Sequence, residues 1–443
     1  VSDRERFYGE RDQRTRQLSG AADAAFEAPV GLRIGPDAAS HRAGQIAALA
    51  LVNSLARVHR TIHIDAPPAT LMARSLVPAP DLASAMLATA RAIDPWGTFA
   101  LGEPPATAVS IGVGAQAPAG CTVFVGAEGA RATLDVRPVA VVENALLGAG
   151  IAACIASSAA FRIAIIGCAT AARRKVISAW NISEDEDAVV GPGPLEPLDV
   201  GDVWMVGAGA VASAVGYWLR EFGVRGRWVV IDGDLVKLHN TNRSLLFFPS
   251  HSAWNGAEAA MKARVVADAF GADAYGDWLD VWNATNPGRP DVILPLANER
   301  GARSDVAAAG LEIVLHATTS GLGGAQLHRH AAGVDGCITC RMRETEAVVL
   351  GCSTSPVTIR DESTDAALPF MSATAGLLLV AALYRLQQGE LLKESANQST
   401  LDLLSPHRVA QRVRRACVPG CASTLPQDLR DRLNVGRRWA RVS

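Results

Sequence analysis

The sequence predicts an α/β protein of two domains, and three observations carry that prediction. The chain has 443 residues, and roughly 150 residues per domain allows two or three. Its apolar content is 49%, with aromatics only 5%; the rest is largely Ala, Val and Leu, which suits helices packed on parallel strands. VWMVGAGA, from Val203 to Ala210, is an apolar strand running into a Gly-rich turn; AVASAVGYWLREFG then has helical spacing, and RWVVID (Arg227–Asp232) is a second strand. That is a βαβ unit, the start of a nucleotide-binding parallel sheet.

The remaining elements follow in order. In the first half, VGLRIG (Val30–Gly35) is a strand entering a turn, HRAGQIAALALVNSLARV a helix and RTIHID (Arg60–Asp65) a strand. AVSIGV, CTVFVG and ATLDV read as later strands, before an apolar helix over Asn144–Arg162. The segment Asn181–Asp202 joins an acidic run to Gly/Pro alternation and reads as a solvated linker. The expected domains are therefore 1–180 and 203–443, with 181–202 between them. Beyond the βαβ unit, DVILPLA (Asp291–Ala297) and LEIVLHAT (Leu311–Thr318) read as strands and Leu368–Leu386 as a long buried helix. That helix echoes Asn144–Arg162, so the halves read as related. The first half has no complete Gly-x-Gly turn at its first strand; as a duplicate it has lost its nucleotide site.

Several classes are excluded by composition. Lys plus Arg is 42 against 44 for Asp plus Glu, a net charge of −2, so no basic field points to nucleic acid or an anionic membrane. Eight cysteines are too few for a disulfide scaffold in a chain of this length. The charged start, VSDRERFYGERDQRTRQ, has no signal-peptide pattern. The apolar runs Ala145–Phe161 and Leu368–Tyr384 are short for a membrane span and rich in small residues. A soluble, cytoplasmic protein is expected.

The chemistry concentrates in the second half. Gly207-Ala-Gly209-Ala-Val-Ala212 lets backbone approach phosphates at a helix N-terminus, and Asp232 ends the next strand, where a carboxylate accepts ribose hydroxyls. Alone, this says only "nucleotide", with NAD as good a fit as ATP. Asp234, Asn240, Arg243 and Lys262 follow. The donors of Asn240, Arg243 and Lys262, the last two cationic, suit a triphosphate with a leaving pyrophosphate better than a dinucleotide. Cys337-Ile-Thr-Cys340 and Cys417-Val-Pro-Gly-Cys421 form two pairs whose spacing suits a tetrahedral structural zinc ion.

The string D-x-D-x-V-x-x-x-N-x-x-R from Asp232 to Arg243, followed by Lys262, resembles the ThiF-type adenylyltransferases. These include the activators of sulfur-carrier proteins and the ubiquitin-activating enzymes. The resemblance runs from Val203 to about Ser423. It implies a Rossmann-like adenylation domain that uses ATP and magnesium to adenylate the C-terminal glycine of a ubiquitin-like β-grasp protein. It also implies a role for each matching residue: Asp232 on ribose, Asn240 on the phosphates, Arg243 and Lys262 on the α-phosphate and leaving pyrophosphate. The family often carries a zinc site like the four-cysteine set. Where it usually has a magnesium-binding aspartate followed by Asn, this chain has Asn298-Glu299, with Arg303 further on; a neutral oxygen holds magnesium less well. Some members carry a reactive cysteine in a crossover loop, and Cys352 in EAVVLGCSTSP is the candidate for capturing the acyl group as a thioester. An arginine near the N-terminus often reaches the partner's ATP site; Arg14 and Arg16 are the candidates.

The resemblance thus implies an active domain preceded by a degenerate, inactive adenylation-like domain, working as a homodimer or intrachain pseudo-dimer, with a conjugating enzyme as a further partner. Cys121, Cys154 and Cys168 read as small core residues, and His328 and His330 as surface or interface groups. Three rivals stay open. One is activation of a sulfur carrier. Another is a non-catalytic nucleotide-binding scaffold, which Asn298 supports. The third is a dinucleotide oxidoreductase, against which Arg243, Lys262 and the cysteine pairs argue.

Overall fold

The protein, as a computed structural model, is described for residues 2–192, 195–286, 288–297, 302, 305–306, 309–319, 324–338, 340, 368–405, 409–417 and 429–431. It contains two eight-stranded sheets. The first holds β1 (Val30–Ile34), β2 (Thr61–Asp65), β3 (Thr98–Leu101), β4 (Val109–Val113), β5 (Val123–Glu128), β6 (Arg131–Asp135), β7 (Lys175–Ser178) and β8 (Ser183–Glu184). The second holds β9 (Val203–Val206), β10 (Trp228–Ile231), β11 (Asp273–Tyr275), β12 (Val292–Pro295), β13 (Ile313–Thr319), β14 (Gly324–Ala331), β15 (Gln398–Asp402) and β16 (Ala410–Val413).

Each sheet has its third strand at one edge, followed by its second, first, fourth, fifth, sixth, seventh and eighth. In both, the first five strands pair in parallel and the last three antiparallel. Residues of β9, β10 and β12 are buried throughout. Continuous apolar runs of that kind are what a parallel sheet covered on both faces requires.

Helices α1 (Asp3–Arg11), α2 (Gln13–Ser19) and α3 (Asp23–Phe26) precede the first sheet. That sheet carries α4 (Pro36–Ala39), α5 (Arg42–Leu55), α6 (Leu82–Ile93) and α7 (Leu146–Ala164). The second carries α8 (Ala210–Phe222), α9 (Lys262–Phe270), α10 (Leu279–Thr285) and α11 (Pro369–Gln387). Helices α7 and α11 have the length and apolarity of a membrane span, yet 89% and 100% of their most apolar windows are buried inside the fold. They meet along the seam between the halves, where the rings of Phe161 and Phe370 lie 5.6 Å apart. Gly150 of α7 allows the approach: a Cβ there would stand 3.0 Å from Leu377 and 3.2 Å from Trp218. Polar contacts cross the seam as well. The Glu184 carboxylate accepts from the Val409 amide at 2.9 Å, and Ser158 Oγ donates to the Leu403 carbonyl at 2.8 Å.

Two expectations are corrected, and the N-terminal helix takes a place that the sequence did not indicate. The stretch 181–202 is not simply solvated: it contains β8, and Leu198 and Val200 are buried, with the Leu198 amide donating to the Gly223 carbonyl. Apolar side chains between the acids and prolines hold it against the second half. The N-terminal helix is docked, with Phe7, Tyr8 and Arg11 buried and Arg11 set between Asp12 (2.6 Å) and Asp94 (2.9 Å). His328 and His330 are also buried, because they project from β14 on one face of the sheet beside His316 of β13. The rings of His316 and His328 stack 4.4 Å apart, and those of His316 and His330 5.1 Å apart.

Candidate functional site

The candidate site lies at the C-terminal ends of β9 and β10, where the parallel strands turn into loops. Gly207 has φ +94, and a Cβ there would lie 2.5 Å from the backbone nitrogen of Ala297, so only glycine fits. Gly209 is the N-cap of α8. Among the described residues, a Cβ at Gly209 would meet nothing within 4 Å. The first amides of a helix have no partner within it and carry the positive end of its dipole, so they favour an anion.

Asp232 fixes this turn from below. One carboxylate oxygen accepts from the Ala208 amide at 2.6 Å and the other from the Asp234 amide at 2.8 Å. The first bond holds the middle of the glycine turn; the second holds the loop beyond β10. Burial pushes Asp232 above the usual aspartate range, while the two backbone donors and Lys262 pull it down. Lys262 begins α9, an unfavourable place for a cation. Its Nζ is satisfied by the Asp234 carboxylate at 2.6 Å, and its backbone amide donates to the Asp234 carbonyl at 3.0 Å.

Asn240 and Arg243 occupy the next loop. Asn240 Oδ1 accepts from the Lys237 amide at 2.9 Å, which closes the turn. Arg243 is half-buried, and its Nη1 donates to the His239 carbonyl at 3.1 Å. Asp232, Asp234, Lys262 and the glycine turn therefore form one connected set, with Asn240 and Arg243 on the adjoining loop. Asn298, Glu299, Arg303, Cys352 and Cys421 lie outside the described residues, as does the side chain of Arg14.

The N-terminal half also reaches this loop. Phe7 and Tyr8 cluster with Leu238, and Thr15 Oγ1 accepts from Asn242 Nδ2 at 2.9 Å. Arg16 is held at 2.9 Å by Asp23 of its own half. Two buried residues that the sequence reading passed over, Asn53 and Arg57, hydrogen-bond the carbonyls of residues 241–247. Their partners lie almost 200 residues away in sequence, so no local pattern announces them.

The matching turn of the first sheet is built differently. Pro36 follows Gly35, and α4 is only four residues long. The Asp37 carboxylate accepts from the amides of Ala115 (2.7 Å) and Gln116 (3.1 Å). A Cβ on Gly35 would lie 2.4 Å from that carboxylate and 2.6 Å from the Ala117 nitrogen. Asp37 thus ties the turn after β1 to the loop after β4 and fills the space beside Gly35.

At the far edge of the second sheet, Cys337, Cys340 and Cys417 converge, their sulfurs all within 4.8 Å of one another. The Cys337 amide donates to Cys417 Sγ at 3.1 Å. Three thiols within reach of one ion fit a soft, tetrahedral metal. The histidine stack abuts this cluster, since His330 Nδ1 lies 2.8 Å from the carbonyl of Gly336, beside Cys337. Cys154 is a buried core thiol, pushed up to about 12 by desolvation. Cys121 is half-buried, and Cys168 is buried, its Sγ 3.3 Å from Thr170 Oγ1.

No protein-family model matches the chain, and no curated protein matches it in sequence. Solved structures do resemble it. Escherichia coli MccB with MccA-N7isoASN superposes with a TM-score of 0.37 at 15% identity, covering 50% of this chain and 66% of that one. Escherichia coli MccB with ATP gives 0.34 at 15% identity over 52% and 67%, and PaaA gives 0.34 at 15% over 48% and 64%. The chain thus spans about two thirds of the solved chains it matches. Superpositions of this quality set no correspondence between residues.

Proposed function

We propose that the second half is an ATP-dependent adenylating domain and that the first half is its inactive, degenerate counterpart. The carboxylate it activates is the C-terminal glycine of a ubiquitin-like, β-grasp protein. The observation that carries this reading is the contrast between two turns of the same topological position. Among the described residues nothing stands within 4 Å of a Cβ at Gly209, in a turn backed by Asp232 and flanked by Lys262, whereas the turn at Gly35 is filled by Asp37.

In this account the Gly207–Gly209 turn and the first amides of α8 cradle the phosphates, and Asp232 accepts the ribose hydroxyls with the lone pairs its backbone bonds leave over. Lys262 exchanges Asp234 for a phosphate oxygen when nucleotide arrives. The glycine carboxylate attacks the α-phosphorus, the bond from that phosphorus to the bridging oxygen breaks, and pyrophosphate leaves. Lys262 and Arg243 neutralise charge developing on the phosphoryl oxygens. Magnesium would add charge stabilisation there, with Asn298 and Glu299 as the candidate ligands. Cys352 then attacks the acyl carbon, AMP departs, and the resulting thioester is passed to a conjugating enzyme. Cys337, Cys340 and Cys417, with Cys421 as fourth ligand, would hold a structural zinc ion.

ATP–pyrophosphate exchange with a β-grasp protein ending in glycine tests this directly. Exchange is expected to require the terminal glycine, to fall by about 100-fold in Lys262→Ala, and to survive Cys352→Ala. Exchange that ignores the terminal glycine, or survives Lys262→Ala, contradicts the proposal.

A further inference from the structure

Arg57 follows α5 in the first half, and its side chain is wholly buried. It carries four hydrogen bonds. Nε donates to Asn53 Oδ1 at 3.0 Å, Nη1 to the Phe247 carbonyl at 2.9 Å and also to the Thr241 carbonyl, and Nη2 to the Leu245 carbonyl at 2.8 Å. Asn53 Nδ2 donates to the same Leu245 carbonyl at 3.1 Å. None of these acceptors is a carboxylate. Among the described residues, the charged and titratable groups that act on the guanidinium are Arg11, Tyr217 and His251; desolvation and Arg11 push it down to about 9. A buried cation without a counter-ion is costly, so the site must be read through what it holds.

What it holds is one loop of the other half. Three carbonyls from Thr241 to Phe247 converge on a single planar fork, which fixes the chain far better than a point charge does. Arg243 sits between the first two of them. From the opposite side, Ser213 of α8 accepts the Leu246 amide at 2.9 Å. The reverse clamp also exists: Arg220 donates to the Ser75 carbonyl, and Glu221 accepts the Arg74 amide at 3.2 Å. The end of α8 thus grips the loop after β2, while the end of α5 grips the loop after β10. Only the second of these loops carries phosphate-binding chemistry.

We propose that Arg57, with Asn53, is a positioning residue for the nucleotide site: by holding Thr241–Phe247 it sets Arg243, so the first half completes the site of the second within one chain. This rests on the adenylation reading for Arg243's contact with phosphate. The test is a double-mutant cycle on the full chain, with Arg57→Met, Arg57→Lys and Arg243→Ala, reading MgATP affinity by calorimetry and pyrophosphate exchange in parallel. Arg57→Met is expected to lower both by about 10- to 100-fold in the native background, yet by less than about threefold when Arg243 is already alanine. Arg57→Lys keeps the charge and loses the fork, and is expected to fall between; with Asn53→Ala it also serves if Arg57→Met does not fold. Equal losses in both backgrounds would mean a merely structural residue and overturn the proposal. Hydrogen exchange of residues 241–247 without nucleotide separates the two readings. Unchanged protection there in Arg57→Met sinks the positioning role whatever the enzyme does. Absent pyrophosphate exchange in the native protein, with the cycle intact in MgATP affinity, sinks adenylation alone; absent MgATP binding sinks both.

Discussion

The turns after β1 and β9 occupy the same place in sheets of identical strand order, and they do opposite things with it. After β9, Gly207 and Gly209 strip the turn of side chains, and a 13-residue helix begins where no described atom lies within 4 Å of a Cβ at 209. After β1, Pro36 and Asp37 close it, with Asp37 answering the amides of Ala115 and Gln116. A helix N-terminus favours an anion wherever it is. In the proposed account a ligand supplies that anion at the second turn, while Asp37 occupies the space beside the first.

The sharpest way to break the comparison is to give the second turn a carboxylate. Among the described residues nothing obstructs a side chain at 209, and Gly209→Asp adds the side-chain cap that α8 now lacks. Stability should rise by up to about 1 kcal/mol, while MgATP affinity falls by at least about 100-fold through like charge and occupied amides. Thermal melts and calorimetry read the two effects separately; unchanged affinity would mean that the turn is not the phosphate site.

A second difference lies at the sheet edges. Among the described residues, the three-thiol cluster belongs to the second half alone. Cys337→Ser, or chelation, is expected to lower the melting temperature and to speed hydrogen exchange in β14–β16. Exchange in β1–β5 should stay as it was. A uniform effect on both sheets would show that the halves do not differ in this respect.

Smaller effects are expected in the first turn. Asp37→Ala leaves the Ala115 and Gln116 amides to water at a partly exposed site, at a cost of about 1 kcal/mol in chemical denaturation. It should not change MgATP affinity; a change would place the nucleotide in the first half.

The smallest effect concerns pH. Burial raises Asp232 above its unfolded value, so its contribution to folding is fully present below the unfolded value and is lost as pH rises through the folded one. Ligand binding runs the other way, because the carboxylate is the form that accepts two hydroxyls. MgATP affinity should therefore weaken as acidification protonates Asp232, relative to a flat profile in Asp232→Asn. A slope unchanged by that substitution would assign it to another group.

Much of this was legible in sequence because it is local. Val203–Ala212 announces strand, turn and helix within ten residues, the strands around it are unbroken apolar runs, and the Cys337/Cys340 pair carries its own spacing. What escaped depends on distant partners. Arg57 follows an unremarkable helix, and its role appears only when residues 241–247 fold around it. His328 and His330 look like polar surface residues until β13 and β14 pair and stack them against His316. Leu198 and Val200, between prolines and acids, resemble linker until the second half covers them. The shared strand order was only hinted at by the two long helices, since any α/β domain produces similar periodicity.

The central claim is that one half holds the nucleotide and the other cannot. Calorimetric titration of the full chain with MgATP tests it most directly. The account predicts one site per chain, lost in Gly209→Asp and retained in Asp37→Ala. Two sites per chain, or a single site that survives Gly209→Asp, would contradict it.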